Sequence, residues 1–434
     1  MSKRTQSGLL YAYYGDDFTG STDVLEALAL HGVPAVLFTH PPSTRELKVF
    51  PGCRAVGIAG ESRSRTPAWM NRHLPAIFAA MRRLGAPVNH YKVCSTFDSS
   101  PRVGNIGRAM ELGMRAFGAK WTPVVVGAPH LGRAVVFANL FAAAQGEVHR
   151  IDRHPTMRRH PVTPMLESDL RLHLARQTKL PVGLVDLLAF QAGTAGKRLA
   201  AELGSGAKVV VFDGIDDSTL IETASLLWNG ACTKPIFAVG SSGLAYGLLD
   251  YWRTMVRLLG PPEERPAWSG PSATDRLLVL SGSCSPATAK QIHCARQQGF
   301  TAIRLNAGGR WDEESRKAFD ALARGRSVVL YTALGPEGSN GENAAFGAPL
   351  GRLLRKLLLT SGVRRILIAG GDTSTHAVKK LGLTALTFAA PLVPGAPLCR
   401  AHATESPLDG LELVLKGGQI GPDNFFAQVR GNRV

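Results

Sequence analysis

The stretch LLYAYYGDDFTGSTD at residues 9–23 places two neighbouring acids between an apolar run and a helical pattern. A short apolar run that leads through a turn into a helix is typical of a strand buried on both faces of a parallel sheet. Similar runs recur at 35–38, 55–59, 124–128, 208–212, 236–240, 276–283, 302–305, 327–332, 364–371 and 411–418. The pattern predicts an α/β fold with largely parallel sheets.

The length of 434 residues is about twice that of a typical single-core domain, so we expect two domains. The stretch GPPEERPAWSGPSATD at 260–275 is the densest in proline, glycine and serine and is the best candidate for a linker. We predict a first domain at 1–262, a linker at 263–275, a second domain at 276–434, and a ligand cleft between the domains. GPEGSNGENAAFG at 335–347 is predicted to form one long polar loop.

Asp16 and Asp17 fall where the first predicted strand ends. Thr19 and Gly20 would allow a tight turn there and are candidate substrate-binding residues. Ser21 or Thr22 would cap a helix that begins near Asp23. One acid capping the helix, with the other solvated, is the simple structural interpretation. The functional alternative is that the pair acts as a general base for a substrate hydroxyl or binds that hydroxyl.

A second polar segment, YKVCSTFDSSPRVGNIG at 91–107, supplies groups that complement such a pair. Its hydroxyl, carboxylate and basic side chains suit a polyhydroxylated anion, whose carboxylate an arginine can hold with two hydrogen bonds. A capped helix start with an exposed arginine is the alternative. The candidate substrate-binding residues here are Lys92, Ser95, Asp98, Ser99 and Arg102, and Thr96 is a further hydroxyl in the segment.

Two further segments add basic side chains. GAPHLGRAV at 127–135 places His130 at another strand end, and HRIDRHPTMRRHPVTPMLESDL at 149–170 is an irregular loop with four arginines. His130 and Arg158 join the candidate substrate set. The histidines of this loop lack a second pair at ligand spacing, so we expect no metal held by side chains.

Three strand ends in the second half carry small residues: LSGSCSPAT at 280–288, AGGDTSTHAV at 369–378 and LVLKGGQIG at 413–421. Small residues let backbone N–H groups approach phosphate oxygens at the positive end of the next helix. A tight strand-to-helix turn would explain each one equally well. The patterns GxxxxGK[ST] and GxGxxG do not occur, so neither a P-loop nor a dinucleotide fold is indicated.

The net charge of +17 suits an anionic ligand, but lysine and arginine are spread without long basic runs, so we expect no nucleic-acid partner. No apolar stretch approaches the roughly 20 residues that cross a bilayer, and the N-terminal apolar run is too short for a signal peptide. Six cysteines without a CxxC pair fit a cytoplasmic protein. The oligomeric state stays open, with a homo-oligomer allowed.

The motifs resemble those of the four-carbon acid sugar kinases. GDDFTGSTD resembles their DDxTG opening, and STFDSSPRVGNIG resembles their DSTLRGNIG segment, although FDSSPRVG differs from DSTLRG. Further similar motifs, in the family's order, are GAPHLGR, HPVTPMLESDL, VGSSGLA, GSCSPAT, GGDTS and KGGQIGPDNFF. The loop at 149–170 resembles a subgroup that acts on 3-oxo-isoapionate.

The resemblance implies an N-terminal domain that binds a sugar acid and a C-terminal domain that binds ATP with Mg²⁺. It further implies phosphorylation of a terminal hydroxyl of a tetronate or 3-oxo-tetronate, with Asp17, or failing that Asp16, as the base. The implied sugar-acid residues are Asp16, Asp17, Lys92, Asp98 and Arg102. The implied ATP residues are Ser283 or Ser285, Gly370, Gly371, Asp372, Thr373 and Gly418.

Two other classes stay open on the sequence. A non-catalytic protein could close two α/β lobes on a sugar acid. An α/β oxidoreductase is the weaker alternative, because GxGxxG is absent.

Overall fold

The computed structural model describes residues 8–144, 146–160, 162–259, 268–306, 310–335 and 343–431, with the side chains of all of these except 343–346. Residues 263–267 of the predicted linker and 336–342 of the predicted polar loop lie outside this part of the chain. Residues 343–347 of that loop are helical instead and form the start of a helix that runs over Asn343–Ser361. The two alanines that follow Asn343 are strong helix formers.

Two compact units make up the chain. The first comprises Met1–Asp16, Ala27–Ala35 and Pro41–Pro266, and the second comprises Asp17–Glu26, Val36–His40 and Ala267–Val434. Two short segments from early in the sequence therefore belong to the second unit. The chain first passes from the first unit to the second between Asp16 and Asp17.

Strands and helices alternate through the N-terminal part of the chain. In order they are β1 (Tyr11–Gly15), α1 (Phe18–Leu30), β2 (Ala35–Phe38), α2 (Thr44–Lys48), β3 (Ala55–Ala59), α3 (Pro67–Leu84), β4 (Val88–Lys92), α4 (Ile106–Phe117), β5 (Thr122–Val125), β6 (Arg133–Val136), β7 (Asn139–Ala144), β8 (Glu147–Arg150), α5 (Leu170–Ala175), β9 (Val182–Val185), α6 (Leu187–Gln191), α7 (Ala195–Gly204), β10 (Val209–Phe212), α8 (Asp217–Ala231), β11 (Ile236–Gly240) and α9 (Gly243–Thr254).

The first unit contains a parallel sheet of seven strands in the order β3-β1-β4-β11-β5-β10-β9. The register pairs Gly15 with Lys92, and Lys92 with Gly240, so the carboxyl ends of the central strands lie side by side. A separate antiparallel sheet contains β6, β7 and β8. The parallel strands thus bring the polar residues that follow them to one edge.

Aromatic packing fills the core of the first unit behind that edge. The Phe237 ring stacks on Phe117 and meets Phe78 edge-on, with both pairs of ring centroids 5.3 Å apart. A Cβ atom at Gly113 would lie 2.0 Å from the Phe237 ring, so only glycine lets α4 approach β11 this closely. The core therefore fixes α4, whose first residue, Ile106, lies at the end of the polar segment 91–107.

The C-terminal part continues the alternation. Its elements are β12 (Leu278–Ser281), α10 (Pro286–Gln297), β13 (Thr301–Arg304), α11 (Asp312–Ala323), β14 (Val328–Tyr331), α12 (Asn343–Ser361), β15 (Arg365–Ala369), α13 (Gly371–Leu381), β16 (Ala385–Val393), β17 (Ala396–His402), β18 (Glu412–Lys416) and α14 (Phe425–Arg430). In the second unit β13, β14, β12, β15 and β18 pair in parallel, and β17 and β16 extend them antiparallel.

The predicted α/β fold with largely parallel sheets is confirmed, and every predicted strand occurs within a few residues of its expected place. One pairing was not indicated by the sequence: Leu37 and Phe38 of β2 pair antiparallel with Leu386 and Ala385 of β16 in the second unit. Among the described residues, no helix is both long and apolar enough to span a membrane.

Candidate functional site

The two acids of the opening stretch follow β1 and are both buried, with 4% and 3% of Asp16 and Asp17 exposed. The backbone N–H of Asp16 donates to the Lys92 carbonyl at 2.9 Å, and the Asp16 carbonyl accepts the Arg63 N–H at 3.1 Å. The main chain of Asp16 is therefore held between the ends of β4 and β3. Its negative charge adds to the burial that raises the pKa of Tyr14 to about 12.

Asp17 caps α1. Its Oδ1 accepts the Gly20 N–H at 2.6 Å, and its Oδ2 accepts the Thr19 hydroxyl at 2.9 Å. The helix begins at Phe18, five residues before the predicted start, so Ser21 and Thr22 lie inside it rather than at its cap. Thr19 and Gly20, predicted as substrate-binding residues, thus both donate hydrogen bonds to the Asp17 carboxylate.

A buried carboxylate, Asp98, organises the polar end of the first unit. Arg63 Nη2 donates to both of its oxygens, at 2.7 and 3.0 Å. The hydroxyls of Thr96 and Thr163 donate to Oδ1 at 2.6 Å and Oδ2 at 3.0 Å. We call Arg63, Thr96, Asp98 and Thr163 the Asp98 cluster. It joins the turn after β3, the segment after β4 and the loop at 149–170.

Asp98 is ionised in this cluster. Burial by itself would raise the pKa of the Asp98 carboxyl, but the Arg63 and His160 charges and the hydrogen bonds from Thr96 and Arg63 together hold that pKa well below its usual value. The Arg63 side chain is 23% exposed, whereas that of Asp98 is fully buried. The arginine therefore presents the accessible surface of the cluster, and the carboxylate fixes its position.

Other predicted residues of segment 91–107 have different surroundings. Lys92 is buried at the end of β4, where Nζ donates to the Val93 carbonyl at 3.0 Å, and Ser95 is also buried. Arg102 is exposed on the turn that precedes α4. The arginine that contacts the buried carboxylate of this segment is therefore Arg63, through Asp98.

Ser99 lies in a separate buried network. Its hydroxyl forms a 2.8 Å hydrogen bond with His173 Nε2, and Gln177 Nε2 donates to it at 2.9 Å. Burial is the main reason why the pKa of His173 falls to about 4, so this imidazole is neutral. Gln177 Oε1 also accepts the Ile106 N–H at 2.8 Å, at the start of α4. Ser99 is thus part of a buried hydrogen-bond network that leads to the start of α4.

The two remaining predicted substrate residues do not join the Asp98 cluster. His130 lies in the turn after β5, with its ring centroid 4.0 Å from that of Tyr246 and its Nε2 3.4 Å from the Ser242 hydroxyl. Arg158 is exposed in a short 3-10 helix, Met157–Arg159. From the same loop it is Thr163 that reaches Asp98.

In the second unit, three strand ends meet at glycines. A Cβ atom at Gly282 would lie 2.1 Å from Thr373 Oγ1, and one at Gly418 would lie 2.6 Å from Ser283 Oγ. Gly370 has a φ of 112°, in the region that favours glycine. We call Gly282, Gly370 and Gly418 the glycine cradle. The backbone of β12, β15 and β18 can converge there only because these residues have no side chain.

Ser285 and Gly371 begin the helices beside this cradle. Ser285 caps α10 by accepting the Ala287 N–H at 3.3 Å. Gly371 begins α13, and a Cβ atom there would lie 3.1 Å from Asp17 Oδ2. Of the other predicted ATP residues, Ser283 and Thr373 are buried and Asp372 is exposed. The structure therefore brings Asp17 next to the predicted phosphate-binding residues of its own unit.

Sequence reasoning missed three residues that the geometry brings forward, Arg63, Thr163 and Lys416. Arg63 is 35 residues before Asp98 in an unremarked turn, and only the parallel pairing of β1, β3 and β4 brings them together. Thr163 lies in the irregular loop at 149–170, where its hydroxyl carries no local signal. Lys416 directly precedes the glycines of LVLKGGQIG, and its burial is not evident from that motif.

Comparison with known proteins places the chain in a family. Residues 11–248 match the family model described as a sugar-binding N-terminal domain, and residues 278–426 match the one described as a nucleotide-binding C-terminal domain. A 3-oxo-isoapionate kinase of Paraburkholderia graminis is 45% identical, with 99% of this chain and 95% of that protein aligned. A 3-oxo-tetronate kinase of Cupriavidus necator is 31% identical over 95% of this chain and 94% of its own.

Solved structures show the same fold. A Salmonella typhimurium LT2 protein, crystallised as a candidate tRNA synthase, superimposes with a TM-score of 0.77 at 26% identity over 98% of both chains. A Haemophilus influenzae protein matches with a TM-score of 0.68 at 23% identity over 97% of this chain and 99% of its own. With the two family models and the 45% identity together, the chain belongs to the four-carbon acid sugar kinase family.

Proposed function

We propose that the protein uses ATP to phosphorylate a terminal hydroxyl of a small sugar acid, and that the branched acid 3-oxo-isoapionate is its acceptor. The hydrogen bond from Thr163 to Asp98 ties the loop at 149–170, which resembles the 3-oxo-isoapionate subgroup, to the residue that positions Arg63. The identity of 45% with a 3-oxo-isoapionate kinase, against 31% with a 3-oxo-tetronate kinase, supports the same choice.

The acceptor's carboxylate would bind at Arg63. A guanidinium can donate two parallel hydrogen bonds to a carboxylate, and Asp98 holds this one in a fixed orientation. Lys92 and Asp16 lie at the ends of the adjacent strands and would contact the acceptor's oxygens. Arg102, exposed before α4, would make no direct contact.

The glycine cradle fits a nucleotide's phosphates. The strand ends of β12, β15 and β18 converge with no side chain between them, and α10 and α13 begin there. Backbone N–H groups and helix N-termini of this kind favour anions. When bound, ATP supplies the phosphoryl group. Ser283, Ser285, Gly370, Gly371, Asp372, Thr373 and Gly418 would surround it.

Mg²⁺ would enter with the phosphates rather than occupy a site of its own. Within the described ranges no group of three or more His, Cys, Asp or Glu side chains could hold a metal ion. Mg²⁺ in phosphoryl-transfer enzymes commonly keeps several waters and is bound by one or two carboxylates plus the substrate's phosphates. Asp372, in the first turn of α13, is the carboxylate nearest in sequence to the cradle.

Asp17 would be the base. Its carboxylate lies beside Gly371, at the start of α13, while its hydrogen bonds from Gly20 and Thr19 fix its direction. From that position it would orient the acceptor's hydroxyl and take its proton. Asp16, whose main chain is bonded to Lys92 and Arg63, would hold the acceptor instead.

The cytoplasm is the proposed location. All six cysteines are free thiols, which is usual for proteins of a reducing compartment. A small-molecule acceptor and ATP would be the only partners needed for the reaction.

A coupled ADP-release assay over a panel of sugar acids tests the function. We expect ADP release with 3-oxo-isoapionate, at a kcat/KM at least about tenfold above that for 3-oxo-tetronate, since one missing contact at a fitted site changes kcat/KM by 10-fold or more. A preference for the four-carbon acid would contradict the acceptor. No release with any acid would contradict the kinase and favour a binding protein.

Arg63→Lys should raise KM for the sugar acid about 100-fold and leave KM for ATP unchanged. Lysine keeps the positive charge beside Asp98 but lacks the planar fork that binds a carboxylate with two bonds. The matched control is Arg102→Lys, at the arginine that the sequence favoured, where both KM values should stay at the wild-type level. A larger rise of KM for the sugar acid in Arg102→Lys than in Arg63→Lys would indicate that Arg102 binds the carboxylate.

Asp17→Asn should lower kcat by roughly 100-fold, the usual contribution of a general base. Asparagine caps helices about as well as aspartate, so α1 should keep its start and the thermal midpoint should change little. Steady-state kinetics and thermal unfolding measure the two effects separately. Wild-type kcat in a folded Asp17→Asn protein would transfer the base to another residue.

Gly418→Ala should weaken ADP binding about tenfold, as measured by calorimetry. The added methyl would lie 2.6 Å from Ser283 Oγ and 2.9 Å from Ser285 Cβ, and such overpacking costs about 1 to 3 kcal/mol. Gly417→Ala is the control, because its methyl would lie 3.5 Å from Ile420 Cγ1, an ordinary contact. Equal ADP affinity in the two variants would contradict the proposal that the glycine cradle binds the phosphates.

A further inference from the structure

A lysine is completely buried beneath the glycine cradle. Lys416 is the last residue of β18 and is 0% exposed. Its Nζ donates to Thr288 Oγ1 at 3.0 Å and approaches the Gly418 carbonyl at 3.5 Å. Thr288 also donates to that carbonyl, at 2.8 Å. The ammonium group therefore lies directly under the turn that carries Gly418.

The turn above Lys416 is held in one shape from below. Gln291, one helical turn after Thr288 on α10, donates through Nε2 to three consecutive carbonyls, of Ile420, Gly421 and Pro422, at 3.0, 3.0 and 3.1 Å. Gly418 in turn packs against Ser283. A change in the charge of Lys416 therefore acts on the Gly418 turn, which these hydrogen bonds hold in place.

No carboxylate compensates this lysine within the part of the chain that the structure describes, where its hydrogen-bond partners are a hydroxyl and a carbonyl. Burial lowers the pKa of Lys416 to about 7, and no charged neighbour contributes to that shift. A buried cation is costly unless an opposite charge accompanies it. The missing negative charge is the one that phosphates would bring.

The elements packed around Lys416 present few charges to it. β15 pairs Ala369 with Lys416, and on β17 the nearest paired residue is Leu398. On the two helices that start at the cradle, the charged residues closest to it in sequence are Lys290 of α10 and Asp372 of α13, and both are exposed. A bound polyphosphate would therefore be the dominant new charge near the ammonium group.

We propose that Lys416 is a positioning residue of the nucleotide site, which becomes fully protonated when phosphates occupy the glycine cradle, so that nucleotide binding takes up a proton at this side chain. The inference rests on the nucleotide binding of the proposed function. It assigns to Lys416 a charge that stabilises the bound phosphates through the Gly418 turn.

The sign of the pH dependence follows from the direction of the coupling. Bound anions favour the ammonium form and raise the pKa of Lys416 above its value of about 7 in the free protein. The added affinity is then fully present below pH 7 and is lost as the pH rises through the pKa of the bound state. Each unit of pKa difference changes the dissociation constant about tenfold.

Calorimetry of ADP binding to the full chain tests this proposal. At pH 8, titrations in two buffers of different ionisation enthalpy should show wild-type protein taking up a fraction of a proton, up to about one, beyond ADP's own titration. Lys416→Met should lose that uptake and bind ADP about tenfold more weakly at pH 6.5, with the difference narrowing above pH 8. Lys290→Met, the same charge change at an exposed position of α10, should behave like wild type.

The outcomes separate this inference from the proposed function. ADP binding by wild-type protein without excess proton uptake overturns the role of Lys416 and leaves the kinase intact, and this measurement needs no variant to fold. Proton uptake that persists in Lys416→Met also overturns it. Proton-coupled ADP binding without phosphorylation of any sugar acid would support Lys416 and contradict the acceptor chemistry. Failure of wild-type protein to bind ADP would overturn both.

Discussion

The 2.6 Å hydrogen bond from the Gly20 N–H to Asp17 fixes the residue at which β1 gives way to α1. The first turns of this helix belong to the second unit. The Phe18 N–H lies 3.5 Å from Thr375 Oγ1, and Glu26 Oε2 accepts the Gly395 N–H at 2.8 Å. Burial raises the pKa of Glu26 to about 8. One capping carboxylate thus sets both the position of α1 and the location of the proposed base beside Gly371.

Strands and strand ends could be predicted because their signals are local. The apolar residues of β10, at 209–212, are all buried. Strands that are buried on both faces of a parallel sheet are almost entirely apolar, so they are easy to recognise in a sequence. Parallel pairing then requires the residues after each strand to share one edge. That constraint is why Asp16 and Lys92 were expected together and why their backbones are in fact bonded.

Pairing partners and side-chain partners could not be predicted, because distant residues decide them. Nothing near AVLF at 35–38 indicates that it pairs antiparallel with a strand about 350 residues later. Likewise, Asp98 and Ser99 are adjacent, yet one bonds to Arg63 and the other to His173. The helix start was left open by the sequence, because Asp17, Ser21 and Thr22 are all acceptable caps, and in the structure Asp17 is the cap.

The two units treat buried charge in opposite ways. In the Asp98 cluster the carboxylate is neutralised by Arg63 and takes two hydroxyl bonds, so its geometry is complete before any ligand arrives. Lys416 has only neutral partners among the described residues, so its site lacks the anion that would balance it. A prearranged ion pair gives directional recognition of a carboxylate. An uncompensated cation gives strong attraction for phosphate with little demand on its orientation, which suits a group that must enter as a triphosphate and leave as a diphosphate.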